Sequence, residues 1–192
     1  YLTARVFKSE LPRYHAIRLR ALIVLSVLAA AFAYADRISF KAEQSYFGDP
    51  VVYQSHSPYQ RLVVTRWKDD TRLYINGNLQ FSSRDEARYH EALVLPAMQM
   101  VSDASRILIL GGGDGLAARE VLKYPQVKHV TLVDLDPDMT ATFKTSAALS
   151  ALNQGSLSHP KMHIVNDDAA KWLEGSSEKF DVIIIDLPDP SN

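Results

Sequence analysis

Along the chain the spacing of apolar residues changes period more than once. From Ala21 to Ala35 fifteen residues pass without a charge, and Leu, Ile, Val and Ala fill every side of a helix drawn through them. From Val51 the pattern becomes that of strands. Tyr59 to Trp67 is rich in β-branched and aromatic residues, Lys68-Asp-Asp70 reads as a turn, and Thr71 to Ile75 alternates apolar with polar. Asn76-Gly77 is a two-residue hairpin signal, and Leu79 to Phe81 is the returning strand. Together these predict a small antiparallel meander. Ser83 and Glu86 have capping-box spacing ahead of a helix carrying Ala87, Leu93 and Val94, and Pro96 predicts its kink or end.

Beyond residue 100 strands and helices alternate. Arg106 to Leu110 reads as a short buried strand that runs into Gly111-Gly-Gly-Asp-Gly115. A helix follows from Leu116 to Tyr124, stopped by Pro125. Val130 to Asp134 is the next strand, and Pro137 starts a helix reaching about Leu152, closed by Asn153-Gln-Gly155. Met162 to Asn166, a short helix Ala169 to Glu174, and Phe180 to Ile185 complete the series. Repeated β-α-β predicts an α/β fold with a doubly wound, mostly parallel, Rossmann-like sheet. Such sheets usually have about six strands, so four predict a sheet truncated at the C-terminus. A first residue that is Tyr1, not Met, adds to the expectation of a fragment. The expected division is 1–41 for a basic segment plus apolar helix, 42–82 for the β meander, and 83–192 for the nucleoside-binding domain.

The apolar run admits three readings. A spanning helix needs about 20 apolar residues, with a lower limit near 17. Counting back through Leu19 and Ile17, with Arg18 and Arg20 snorkelling, reaches a marginal span. Ala33-Tyr-Ala35 after a basic region resembles a signal-peptide cleavage site, and a helix buried in a soluble core is the third reading. The membrane helix is the reading adopted. Arg5, Lys8, Arg13, Arg18 and Arg20 ahead of it would place the N-terminal side in the cytoplasm and the main domain outside, unless helices preceding Tyr1 set the topology. A membrane-anchored protein is the resulting expectation; the charges leave its orientation open, and the catalytic domain is expected to be cytoplasmic if preceding helices set the topology.

Composition narrows the chemistry. A net charge of −1 over 192 residues offers no basic surface for nucleic acid. The absence of cysteine excludes disulfides and thiolate metal sites, and the six histidines lack paired ligand spacing, so no metal is expected.

The glycine cluster carries the first functional signal. Between a strand and a helix, Gly111 and Gly113 let the main chain approach a ligand with no Cβ in the way. Asp134 lies 19 residues beyond Gly115, roughly where an acid meets ribose hydroxyls in doubly wound folds. Ligands in such sheets sit outside the carboxyl ends of the strands. There this chain places Asp114, Asp134, Asp167, Asp168, Asp186 and Asp189, with no Lys or Arg among them. Helix capping explains one or two. Six at short range would oppose folding unless a cation joins them. A pyrophosphate would be repelled by Asp114, which argues against nicotinamide or flavin. A methyltransferase, whose S-adenosylmethionine carries a carboxylate, suits the site less well than an aminopropyl transferase, whose two substrates are both cations.

Tyr59-Gln60, the hairpin, Asp85-Glu-Ala-Arg-Tyr-His90, Gly111-Gly-Gly-Asp-Gly115, Val133-Asp-Leu-Asp136, Asp167-Asp168 and Asp186-Leu-Pro-Asp-Pro190 occur in this order. The chain from about Val51 to Asn192 thereby resembles the spermidine synthases, and the apolar span resembles that of their membrane-fused members. The resemblance implies transfer of an aminopropyl group from decarboxylated S-adenosylmethionine to a diamine such as putrescine, releasing methylthioadenosine, with no prosthetic group. It implies that Gln60 and Asp134 hold the nucleoside and that Asp168 and Ala169 lie against adenine. His90, Asp114 and Asp189 would grip the polyamine, Tyr89 would pack on its methylenes, and Asp186 would accept the proton. It also implies a homodimer, with the meander as a candidate interface. The chain departs from the family in having Asp134 where Glu is usual, Ala169 where Gly is common, and Leu187-Pro188 in place of smaller polar residues. Taken singly, His90 also admits reading as a surface helix residue, Tyr89 as core and Gln60 as strand decoration. A methyltransferase acting on a basic acceptor and a non-catalytic polyamine-binding membrane protein are the alternatives.

Overall fold

The computed structural model describes residues 14–187. Asp189 therefore lies outside the described residues. The chain divides between Asp49 and Pro50 into two compact units. The first contains α1 (Tyr14–Ala33) and α2 (Ala35–Tyr46). Among the described residues α1 is the one helix long and apolar enough to cross a membrane, over His15–Ala33, and none of that span is buried. The boundary expected at residue 41 falls inside α2.

The second unit begins with the meander β1 (Val51–His56), β2 (Arg61–Trp67), β3 (Asp70–Ile75) and β4 (Asn78–Ser82), paired in sequence order. Asn76 and Gly77 both take positive φ, 52° and 88°, the combination a tight primed turn demands. Lys68 also has positive φ at the preceding turn, so Asp70 opens β3 instead of closing the turn. Its buried carboxylate accepts from Ser82 and Arg72.

α3 (Glu86–Met100) follows, and two local expectations fail there. Glu86 does not reach back to close a capping box, because its carboxylate turns inward to Arg119. Ser83 instead accepts from the Thr71 amide. Nor does Pro96 end the helix, which continues to Met100. Pro96 and Ala92, one turn earlier, are exposed, so the carbonyl deprived of its partner meets water while Val94 and Met98 pack inside.

The parallel sheet consists of β5 (Arg106–Gly111), β6 (His129–Asp134), β7 (Met162–Asn166) and β8 (Val182–Asp186), ordered β7-β6-β5-β8. β5 pairs with both β6 and β8, so the chain reverses its direction of winding beside β5, where a doubly wound sheet opens its ligand crevice. Ile107, Leu108, Ile109 and Leu110 are buried on both faces, as a central parallel strand requires. α4 (Leu116–Leu122) leaves the glycine turn, α5 (Pro137–Thr145) and α6 (Ala147–Leu152) link β6 to β7, and α7 (Ala169–Gly175) precedes β8. The helix expected to run unbroken to Leu152 takes an extended conformation at Ser146. Phe143 and Leu149 are both buried, yet residues six apart on one helix point about 120° away from each other. The break lets both enter the core.

Leu62, Leu73 and Phe81 of the meander share one core with Met98, Ile109, Val130 and Phe143, and the Phe81 and Phe143 rings meet edge to face at 6.2 Å. That packing fastens the meander over the carboxyl ends of the parallel strands.

Candidate functional site

At the mouth of β5 the chain must turn within five residues and leave room beside it. Gly111, Gly112 and Gly115 do so with positive φ. A Cβ on Gly113 would fall 2.6 Å from Asp134 Oδ2, which accepts instead from the Gly113 amide at 2.9 Å. Asp134 Oδ1 accepts from the Asp136 amide, so both oxygens of the β6-terminal carboxylate are oriented by main chain.

A crevice of about 880 Å³ opens here. Its lining includes Tyr59 and Gln60 from the β1–β2 loop, Leu79 and Gln80 from β4, Tyr89 and His90 from α3, and Gly111 to Asp114. Asp134, Asp136, Asp168, Ala169, Asp186 and Leu187 complete the strand-tip side. Five carboxylates thus face one cavity, and among the described residues no Lys or Arg lines it.

Capping accounts for part of this set. Asp114 Oδ1 accepts from the Leu116 amide, Asp136 from Asp138, and Asp168 from Ala170 and Lys171. Asp134 and Asp186 cap no helix. Asp167 does not join the lining, contrary to expectation, because its carboxylate folds back onto the Asp168 amide. Asp136 joins the lining, a place not expected from the sequence. It is almost fully buried and accepts from Ser57 Oγ at 2.9 Å and Gln60 Nε2 at 2.8 Å, tying the meander loop to the start of α5. The Asp-Pro pair at a helix start was the available signal.

Histidine 90 is buried and not a surface helix residue, whereas Tyr89, 53% exposed, is not core. Tyr89 Oη donates to Asp186 Oδ1 at 3.3 Å, and its ring meets that of His90 edge to face at 5.0 Å. His90 Nδ1 lies 2.8 Å from the Glu86 carbonyl and 3.0 Å from Glu86 Oε2, while Nε2 stands 4.0 Å from Asp186 Oδ2. Behind it Arg119 grips both oxygens of Glu86, at 2.7 and 2.9 Å, and also bonds Glu120 and the Leu152 carbonyl. This buried cluster was not legible from spacing, because Glu86 and Arg119 are 33 residues apart.

Burial and mutual repulsion govern the charges. Burial, the Asp186 charge and the Asp134 charge push the Asp114 carboxyl up to about 7, against the opposing pull of His90. Burial also raises Asp134 and Asp186. Burial would lower His90, but Glu86, Asp114 and Asp186 outweigh it and the imidazole is raised. Burial would raise Glu86, but His90 and Arg119 bring it down to about 2.

A pH dependence follows. A carboxyl that binds its proton more tightly folded than unfolded contributes stability below its unfolded value of about 4. Asp114 loses that contribution as pH rises through about 7. The raised His90 runs the same way, its contribution vanishing as pH rises through its folded value. Glu86 runs oppositely, and its contribution is lost only as pH falls through about 2. The ligand-free protein should therefore lose stability between about pH 4 and pH 7, and Asp114→Asn should flatten that decline. Urea midpoints at several pH values test this; equal slopes in the two proteins would refute it.

The family profile described as the spermine/spermidine synthase domain matches residues 86–192. "Polyamine aminopropyltransferase 2" of Ralstonia nicotianae is 62% identical over 173 residues, covering 90% of this chain and 34% of that protein. "Polyamine aminopropyltransferase" of Leptospira interrogans is 48% identical, covering 92% of this chain and 35% of that protein. This chain spans about a third of the length of these curated relatives. The crystal structure of spermidine synthase from Thermotoga maritima superposes with a TM-score of 0.68 at 31% identity, over 73% of this chain and 48% of that one. A spermidine synthase in complex with the transition-state analogue AdoDATO gives 0.66 at 31% identity, over 71% and 47%. With the glycine turn, the aspartate-lined crevice and more than half its length matched to one profile, the chain belongs to the spermine/spermidine synthase domain family.

Proposed function

We propose that the protein is a polyamine aminopropyltransferase, moving the aminopropyl group of decarboxylated S-adenosylmethionine to a diamine such as putrescine. The observation that carries this reading is a single crevice lined by five carboxylates without Lys or Arg among the described residues. Two cationic reactants repel each other, and such a lining offsets the cost of bringing them together. The names of the relatives point the same way.

In this reading Asp134 takes the ribose hydroxyls, with Gln60 nearby and Asp168 and Ala169 against adenine. Gly113 leaves the Asp134 carboxylate, and Gly111 the tip of β8, uncrowded beside the donor. Asp114, beside the glycine turn, favours a donor amine and disfavours the carboxylate that intact S-adenosylmethionine would carry. Asp114, His90 and the Asp189 carboxyl anchor the polyamine, and Tyr89 covers its methylenes. Asp186 takes a proton from the attacking ammonium, directly or through water. The freed nitrogen lone pair forms a bond to the methylene carbon beside the sulfonium. The carbon–sulfur bond breaks, its electrons stay on sulfur, and methylthioadenosine leaves. Burial raises the Asp186 carboxyl and makes its carboxylate a stronger base than an exposed one, which suits a proton acceptor. Alignment of the two substrates supplies much of the remaining acceleration.

Calorimetry of the intact protein with each donor, followed by a product assay with several diamines, tests the reading. Tighter binding of the decarboxylated donor and release of methylthioadenosine support it. Preference for S-adenosylmethionine would indicate a methyltransferase, and binding without product would leave a polyamine-binding protein. The proposal extends to α1 as a membrane anchor, supported by its length, its apolar and largely exposed surface after Arg20, and the arginines at its start. Activity that sediments with membranes supports the anchor, and activity that stays in the supernatant overturns it.

A further inference from the structure

Glu86 and His90 sit one turn apart on the same side of α3, and both are buried. An exposed pair at this spacing would be an ordinary helix ion pair of small value. Here a third group changes its meaning. Arg119, arriving from α4, closes a two-pronged bond on Glu86, a geometry in which the carboxylate is ionised and can only accept. Two acceptors, the Glu86 carbonyl at 2.8 Å and Glu86 Oε2 at 3.0 Å, converge on His90 Nδ1. A nitrogen facing two acceptors must carry the proton. Neutral His90 therefore presents a bare Nε2 at the other end of the ring, on the crevice side. That end lies 4.0 Å from Asp186 Oδ2, and an Asp114 carboxylate oxygen is within 4.8 Å of the other two groups.

We propose that Glu86, held by Arg119, is a positioning residue that fixes the Nδ1 proton of His90 and aims Nε2 at Asp114 and Asp186. The ring then serves two states. Neutral, Nε2 accepts from an ammonium lying between the two aspartates. Protonated, it donates toward Asp186 and stands in for the missing cation when the crevice is empty. Every charged group facing the ring favours its charged form, namely Glu86 from α3, Asp114 from the glycine turn and Asp186 from β8. Arg119 lies behind Glu86 and holds that carboxylate ionised. Tyr89 packs edge-on beside the ring and bonds the other oxygen of Asp186.

The effect on turnover rests on the aminopropyl-transfer reading, but the state of His90 does not. Histidine-labelled intact protein, observed by long-range proton–nitrogen NMR without substrates, reads the tautomer and the titration of His90 directly. The neutral ring should carry its proton on Nδ1, and a proton on Nε2 would overturn the proposal even if no variant folds. In Glu86→Gln the titration midpoint of His90 should fall by about one pH unit or more. An unchanged midpoint would also overturn it. With both substrates, kcat/KM for the diamine should drop roughly tenfold, as when outer hydrogen bonds to a working histidine are lost, while KM for the adenosyl donor stays put. Equal losses for donor and diamine would point to a merely structural role and reject positioning. A wild-type protein that shows the NMR behaviour but transfers no aminopropyl group would sink the functional reading and leave this one standing.

Discussion

Asp186→Asn is expected to cut turnover about 100-fold or more, the scale of a lost general base, while the adenosyl donor still binds within a few fold of wild type. The carboxylate sits at the tip of β8, where Gly111 pairs with it across the sheet and the Gly112 amide donates to its main-chain carbonyl. Asparagine has nearly the same volume and keeps that main chain in place, so the donor contacts proposed along Asp134 and the glycine turn should survive. What it removes is a carboxylate that meets both Tyr89 and His90 at the mouth of the crevice. Single-turnover kinetics with pre-bound donor isolate the chemical step. Turnover within threefold of wild type would remove Asp186 from the role of proton acceptor.

The second large effect is on stability. Gly111→Ala should destabilise the second unit by about 3 kcal/mol, measured as a shift in urea midpoint. Gly111 has φ of 81°, a region costing an L-residue about 1–2 kcal/mol. The added methyl would strike the carbonyl oxygen of Asp186 and come within 2.9 Å of Leu187 Cδ2. Forcing a group into a packed site costs a further 1–3 kcal/mol or so. Because the β5–β8 ladder runs up to this contact and the Gly112 amide donates to the same carbonyl, neither strand tip can give way without losing hydrogen bonds. Gly175→Ala is the control, since a Cβ there meets nothing within 4 Å, and its effect should stay below about 0.5 kcal/mol. Equal midpoints for the two variants would refute the argument.

Elements whose physics is local were legible in advance. The Asn76-Gly77 turn, the strand Met162–Asn166 and the glycine turn into α4 each follow from a few adjacent residues and their allowed backbone angles. The strand-tip aspartates were legible too, because in a parallel sheet every strand delivers its last residue to the same edge. Where the reading failed, a distant partner had won. Glu86 left its capping box for Arg119, and α3 ran through Pro96 because Val94 and Met98 pack on the core side. The break at Ser146 came from two buried side chains that one continuous helix could not aim together.

Order along the chain was therefore enough to determine the alternating architecture, the place of the crevice and its negative character, since period, turn chemistry and charge act over a few residues. Only the tertiary structure decided that Asp136 belongs to the crevice while Asp167 turns away, and that His90 is buried against Glu86 and Arg119. The placing of Asp136 and the clamp behind His90 depend on groups 76 and 33 residues apart meeting once the meander, α3 and the parallel sheet share one core. Hydrogen bonds and ion pairs reach only a few ångströms, so such meetings are settled by packing and leave no trace in local spacing.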